Sequence, residues 1–470
     1  MARRILDSLT PGWEQIGAVW LPLPHVLNLL PVQVDAWYRT GASGVAWSIL
    51  SMALGAGSLA AIILRTTGSA IAAVTGAALL LLNPNVLYLQ STPMTEPMLF
   101  GLTLFAVAAT AVWLDRICPS ESLRHGAGEP PSSRGSRSTW VPGVSLAAAC
   151  LTRYEAWPIT AALLILAASV LIRRGARWTD SLAAVARLGA WPLIAVAVFT
   201  ANSRWVVGEW FVSTDFFVPE NVEAMGRPLV AWRQVREGLT ELAGSVLPRA
   251  GYLGAALVVW GFARSQQQAP LVLLLALSAA AALPLSAYLQ GHPFRIRYDA
   301  PLVIASAALA AAGIAVLWKG LRIPVAVALI ALTVRQTPPL DVQAPLVVES
   351  QREAANMAGR LALTIYLQQH YDGSAIMMSM GSLGHYMHDL SLAGFDIKDF
   401  LHEGNAEIWT FAMLRPRGHA GWLIVEGSAE GGDALHRAAS WPGWLDGFEK
   451  VAEGGGATLY RDMPGMRNGG

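Results

Sequence analysis

Residues 91–100 read STPMTEPMLF, and they set a glutamate, Glu96, between two prolines at the start of an apolar run. From 97 to 114 no charged residue interrupts that run, and a bilayer core asks for about 20 apolar residues per helix. A carboxylate at the mouth of a membrane helix is therefore the first feature to explain. The run has company, since apolar blocks recur from residue 42 to about 334. Of the 470 residues 54% are hydrophobic and only 14% charged, whereas soluble domains carry about 25% charged residues. The chain is polytopic in a membrane. A net charge of +1 with no lysine- or arginine-rich run argues against a nucleic-acid partner. Two cysteines, Cys118 and Cys150, are too few for a disulfide framework. The opening MARRILDSLTPGWEQIG has no apolar core of a signal peptide.

The blocks predict ten membrane helices, at about 42–64, 69–88, 97–114, 140–153, 156–172, 183–201, 250–263, 269–289, 300–318 and 322–334. Basic residues gather on the cytoplasmic side of such proteins. One set of connections holds eleven: Arg65, Arg116, Arg124, Arg134, Arg137, Arg173, Arg174, Arg177, Arg264, Lys319 and Arg322. The short loops on the other face hold Arg153, Arg295 and Arg297. Glu96 and the loop 202–249 are thus expected outside the cytoplasm. The Ser-, Pro-, Gly- and Arg-rich stretch 115–139 reads as a flexible cytoplasmic linker. The same count puts both chain ends outside. For residues 1–41 this requires a helix that re-orients, a miscounted short pair, or a preceding membrane helix absent from the sequence.

The character changes after residue 335. ESQREAANMAGRLALTIYLQQHY (349–371) reads as an amphipathic helix with Ala354, Met357, Leu361 and Ile365 on one face. SAIMMSM (374–380), GWLIVEG (421–427) and GATLYRD (456–462) read as short strands. The expected architecture is a helical polytopic membrane core (42–334), preceded by a loop segment (1–41) and followed by a small extracytoplasmic α/β domain (335–470). That last part has neither a G-x-G-x-x-G nor a P-loop.

Three outer-face turns carry chemistry. Glu96 reads as helix punctuation, with Thr95 as cap and Pro97 in the first turn, or as a working carboxylate. In LTRYEAWP (151–158), Arg153 and Glu155 stand between two apolar runs. Charges at membrane depth usually pair or mark a functional path, so they cap the hairpin or present a guanidinium to phosphate. GHPFRIRYDAP (291–301) brings Arg295, Arg297, Tyr298 and Asp299 to the same face, the arginines as snorkelling anchors or as anion ligands. Aromatic residues crowd RWVVGEWFVSTDFFVPE (204–220). A carboxylate with arginines at a lipid-accessible mouth suits glycosyl transfer from a phosphate-linked lipid donor, the base activating a hydroxyl and the arginines stabilising the departing phosphate. In SLGHYMHDL (382–390), His385, His388 and Asp389 make an incomplete zinc set or a plain helix face.

Several of these stretches resemble the GT-C glycosyltransferases, which include the protein O-mannosyltransferases and the aminoarabinose transferases of lipid A. NPNVLYLQSTPMTEPMLFG (83–101) resembles that family's connection between its third and fourth helices. LAAACLTRYEAWPITAALLIL (146–166) resembles a turn in which Arg153 stands where the family often has a phosphate-binding lysine. RIRYDAPLVIA (295–305) resembles the entry to a late helix, and residues 2–31 the back part of the first extracytoplasmic loop.

The resemblance implies a transferase using a polyprenyl-phosphate sugar on the extracytoplasmic face, with membrane lipid as a partner and an acceptor that stays open. Glu96 would be the catalytic-site acid. Arg153 and Arg297 would bind donor phosphate with Tyr298 beside them, and Glu155, Arg295 and His25 would be in support. His25 reads equally as a membrane-surface loop residue. Whether a divalent metal assists stays open, because one visible carboxylate does not define a site. The family's principal carboxylate would fall upstream of Ala2, while Asp7, Glu14 and Asp35 read as solvated loop charges. A transporter of a lipid-linked or anionic substrate and a catalytically inactive partner subunit are the alternatives. Transport is disfavoured by charges at helix ends and by the lack of an internal repeat.

Overall fold

The computed structural model describes residues 1–17, 19–119, 138–210, 220–351, 354–381, 383–427 and 432–463. Most of the expected linker 115–139 and part of the aromatic stretch 204–220 lie outside these residues. Short helices α1 (Leu23–Asn28) and α2 (Asp35–Thr40) precede the membrane core. The core then runs α3 (Ala42–Thr67), α4 (Ala70–Leu81), α5 (Pro84–Gln90), α6 (Glu96–Ile117), α7 (Trp140–Cys150), α8 (Ala156–Arg173) and α9 (Trp178–Val207). It continues with α10 (Pro228–Ala243), α11 (Val246–Arg264), a 3₁₀ stretch Ala269–Ala281 leading into α12 (Ala282–Leu289), α13 (Ala300–Val316) and α14 (Lys319–Gln336).

Among the described residues seven helices are long and apolar enough to cross a membrane, or eight if the pair α4–α5 is one broken span. The sequence suggested a single helix over 69–88, but the chain bends by 71° between α4 and α5. The reason is local: Asn83 caps α5 through its side-chain oxygen on the Asn85 and Val86 N–H groups, and Pro84 takes the first helical position. The expected spans at 140–153 and 322–334 are real helices, the first only eleven residues long and the second outside the seven.

Helix α13 is the buried axis, with every residue from Ala300 to Ala315 inside the protein. Its Ala-rich sequence lets neighbours approach closely, which is how membrane helices pack when lipid offers no hydrophobic drive. A Cβ on Gly254 of α11 would lie 2.1 Å from the Leu309 carbonyl oxygen of α13. A Cβ on Gly101 of α6 would lie 2.2 Å from the Ser51 carbonyl oxygen of α3. At the end remote from Glu96, Asp115 accepts from Arg65 Nε at 2.7 Å and from Arg174 Nη2 at 2.8 Å, tying α3, α6 and α8 together.

The chain then passes through α15 (Pro345–Gln351) and α16 (Ala354–His370) into a small α/β domain. Strands β1 (Ile376–Met377), β2 (Phe400–Leu401), β3 (Trp422–Glu426), β4 (Phe448–Gly454) and β5 (Ala457–Asp462) form one sheet in the order β2-β1-β3-β5-β4. β1 pairs in parallel with β2 and β3, while β5 is antiparallel to β3 and β4. Helices α17 (Tyr386–Leu392), α18 (Glu407–Leu414) and α19 (Ala434–Ala439) complete it. The amphipathic helix is present, but the face read from the spacing is the outer one. Met357, Leu361 and Ile365 are exposed, while Leu363 and Leu367 enter the core.

The N-terminal segment clamps this domain to the core. Arg3 reaches Asp7 at 2.9 Å, Asp35 at 2.7 Å and Asp396 at 3.3 Å, with its guanidinium 4.5 Å from the Tyr38 ring centroid. Asp7 and Asp35, expected as solvated loop charges, are therefore partners of one arginine. Nearby, Asn405 Nδ2 donates to Ser8 Oγ at 3.2 Å and to Thr10 Oγ1 at 2.9 Å.

Two measurements test this packing. Gly254→Ala should cost about 1–3 kcal/mol by overpacking, whereas Gly57→Ala, whose Cβ meets nothing within 4 Å, should stabilise by about 0.5–1 kcal/mol; thermal unfolding in detergent reads the opposite signs. The seam should also weaken in acid. Burial first, and Arg4 second, push the His402 imidazole down to about 3, against about 6.5 in an unfolded chain. The unfolded state then binds a proton that the native state refuses, so this stability is full above about pH 6.5 and declines as pH falls toward about 3. Proteolytic release of the domain should rise from pH 7.5 to pH 5, and His402→Gln should flatten that rise.

Candidate active site

The site is built where three chain segments meet at the mouth of the helical core. Glu96 is the first residue of α6 and Thr95 its cap position, with Pro97 in the first turn. The Thr95 hydroxyl makes no capping bond; it accepts instead from Arg153 Nη1 at 3.1 Å. The turn carrying Thr95 is held by Ser48 of α3, whose hydroxyl donates to the Thr92 carbonyl at 2.8 Å and the Met94 carbonyl at 3.2 Å.

Arg153 sits in the short turn between α7 and α8, and its guanidinium is shared by two acids. Nε and Nη2 donate to Glu155 Oε1 at 3.0 and 2.6 Å. Nη1 lies 2.9 Å from Glu96 Oε1. That second contact is an ion pair without hydrogen-bond alignment, and neither Glu96 oxygen receives a hydrogen bond from the described residues. Side-chain exposures are 15% for Arg153, 0% for Glu96 and 1% for Glu155, so the guanidinium is the accessible member. Burial works against the Arg153 charge, but Glu155 and then Glu96 outweigh it and raise the guanidinium's pKa. Tyr298 is close enough to act on the same charge.

The third segment is the 3₁₀ turn Ile296–Asp299 before α13. Arg297 is half-buried, its carbon Cζ is 5.9 Å from the Tyr298 ring centroid, and its buried Nε has no partner among the described residues. The Tyr298 ring lies 5.4 Å from the His292 ring. Arg295 contributes its carbonyl, which accepts from the Tyr288 hydroxyl at 3.1 Å.

The structure thus brings Glu96, Arg153 and Glu155 into contact and puts Tyr298 beside them. His25 is not in contact with them: it belongs to α1, whose first N–H, that of Leu23, donates to the Leu151 carbonyl at 3.0 Å, next to the Arg153 turn. The Tyr154 hydroxyl donates to the Val19 carbonyl at 2.9 Å, so the N-terminal segment lies on the turn. One residue of the motif received no role from the sequence. Asp299 is fully buried, and neither carboxylate oxygen has a partner among the described residues. It faces α10 so closely that a Cβ on Gly238 would fall 2.1 Å from Asp299 Oδ2. His388, the zinc candidate, turns Nε2 to the Arg39 carbonyl at 3.0 Å. Among the described residues no three His, Cys, Asp or Glu side chains converge on a metal position.

This architecture is a GT-C-like fold. Two solved structures of ArnT from Cupriavidus metallidurans share it. In the apo state the TM-score is 0.57 and the identity 14%, covering 98% of this chain and 92% of that one. Bound to undecaprenyl phosphate the values are 0.54 and 13%, covering 96% and 89%. No family model and no curated protein matches the sequence. At such identity the likeness establishes the fold.

Arg153→Ala should leave two buried carboxylates uncompensated and destabilise the protein by about 3–5 kcal/mol. Adding Glu155→Gln to that variant should restore part of the loss; a thermal unfolding cycle on the two singles and the double measures the coupling.

Proposed function

We propose that the protein transfers a sugar from a polyprenyl-phosphate donor to an acceptor hydroxyl on the extracytoplasmic face of the cell membrane, with its α/β domain on that side. The observation that carries this reading is the acid–arginine–acid contact Glu96–Arg153–Glu155 at the mouth of a GT-C-like core. The undecaprenyl phosphate held by the structural neighbour supports a polyprenyl phosphate as the leaving group.

In this reading Glu96 takes the proton of the acceptor hydroxyl, since both its oxygens are free of hydrogen-bond donors. The acceptor oxygen attacks the anomeric carbon, the bond from that carbon to the phosphate oxygen breaks, and the polyprenyl phosphate leaves with the electron pair. Arg297 makes the first contact to that phosphate because it carries no carboxylate partner within ion-pair distance among the described residues. The exposed edge of Arg153 makes the second. A planar guanidinium suits phosphate oxygens, and charge stabilisation of the leaving group is where most of the rate gain arises. Glu155 fixes the orientation of Arg153, and Tyr298 and Arg295 shape the phosphate side.

The test is transfer by the chain in proteoliposomes supplied with undecaprenyl-phosphate-linked aminoarabinose or mannose. Arg297→Ala and Glu96→Gln should each lower the rate by about 10²-fold or more while the chain stays folded. Transfer at the wild-type rate in Glu96→Gln would remove the base assignment. No transfer with any donor would move the inactive-partner and transport readings forward.

A further inference from the structure

A second charged cluster lies on the other side of the N-terminal segment, between the Arg153 turn and the α/β domain. Arg4, in the 3₁₀ turn Ala2–Ile5, is only partly exposed, yet no carboxylate lies within ion-pair distance of it among the described residues. Its Nε and Nη2 donate to the side-chain and backbone oxygens of Gln15 at 3.3 and 3.0 Å, both neutral acceptors. The nearest acid acting on it is Glu403, whose carboxylate is engaged by the Ser379 hydroxyl and by the Met380 and Gly381 N–H groups.

His402 completes the arrangement. Its Nδ1 accepts the Gly404 N–H at 3.0 Å, so the neutral ring carries its proton on Nε2. That N–H is fully buried and finds no acceptor among the described residues. A buried donor without an acceptor is destabilising, which is a reason to look for a ligand. Gly404 packs tightly against both donors and has no room for a side chain: a Cβ there would lie 2.5 Å from Arg4 Nη2, 2.8 Å from His402 Cε1 and 2.9 Å from Gln15 Oε1. His25 approaches from α1, which packs on the Ala2–Ile5 turn, close enough for the Arg4 charge to act on its ring. A guanidinium bonded only to neutral oxygens and an orphan imidazole N–H beside one glycine, with a second imidazole on the adjoining helix, are donors without an anionic acceptor among the described residues.

We propose that Arg4, His402 and His25 form an oxyanion-binding site that takes the phosphate or carboxylate of the acceptor. Its place supports that role, since the same segment rests on the Arg153 turn through the bonds Leu23 to Leu151 and Tyr154 to Val19. The identification of the anion as part of an acceptor rests on the transferase reading; the binding itself does not. The experiment therefore measures binding without transfer.

The full chain, with ¹⁵N-labelled histidine, is placed in phosphatidylcholine nanodiscs and titrated with inorganic phosphate, and in a parallel arm in nanodiscs doped with phosphatidate and free of phosphate. A saturable shift of the His402 and His25 ring nitrogens is expected. A response to inorganic phosphate alone identifies a soluble anion, and a response to phosphatidate alone identifies a lipid headgroup; either supports the site. Arg4→Gln and Gly404→Ala should weaken the response at least tenfold, Arg4→Lys should keep it, and Arg297→Ala, in the donor-phosphate turn, should leave it unchanged. The proposal is overturned if neither probe shifts the rings, if Arg4→Gln binds like the wild type, if Arg4→Lys loses binding along with Arg4→Gln, or if Arg297→Ala removes the response.

Discussion

One buried guanidinium sets the geometry of the mouth. Arg153 is held between Glu155 of its own turn and Glu96 at the start of α6, and these carboxylates, Glu155 foremost, offset the cost of removing its charge from water. This constraint fixes the register between α6 and the α7–α8 hairpin. It also accounts for the local chain path around it. Thr95 gives its hydroxyl to Arg153 rather than to its own helix, and Ser48 pins the preceding turn from α3. A helix cap has been exchanged for a contact across the site.

That exchange depends on helices close enough to bring the three segments together. Gly101 against Ser51 and Gly254 against Leu309 supply the approach, and α13 fills the centre with alanine. The α/β domain joins the same mouth through a thin intermediary, the first 28 residues. These contact the Arg153 turn on one side and the domain on the other through Arg3 and Asn405. A change in the domain thus reaches the Arg153 turn through a segment held by a handful of polar bonds, the kind of element that opens locally before the core does.

How much of this was legible in the sequence follows from the range of the interactions. Glu96, Arg153 and Glu155 stood out because each breaks an apolar run, and lipid makes every such charge conspicuous. The turn at Asn83–Pro84 was equally local and carried its own signal, an Asx cap before a proline, although hydropathy alone merged it into one span. The outward face of α16 was not legible. Its apolar spacing is genuine, but Leu363 and Leu367 compete with Met357, Leu361 and Ile365 for the core, and only the sheet decides between them. Arg4, His402 and Asp299 escaped for a different reason. Their meaning lies in partners they lack, and the absence of a partner appears only after distant segments have met.

The charge count at the mouth sharpens the division of labour among the arginines. One guanidinium faces two carboxylates at Arg153, so that cluster has a formal charge of −1 when both acids are ionised. It would repel a phosphate diester approaching on its own. Arg297 is the cation without an acid beside it, and it follows within two residues of Arg295 in a turn rigidly joined to α13. In the proposed transferase reading the donor phosphate is thus drawn first to the 295–298 turn. Arg153 gains attraction for it only as Glu96 takes up the acceptor proton and the cluster becomes neutral. Under the proposed transferase reading, proton transfer and leaving-group stabilisation would be coupled by simple electrostatics: the acid that activates the acceptor would also release the arginine that receives the phosphate, which favours the transition state over the bound donor.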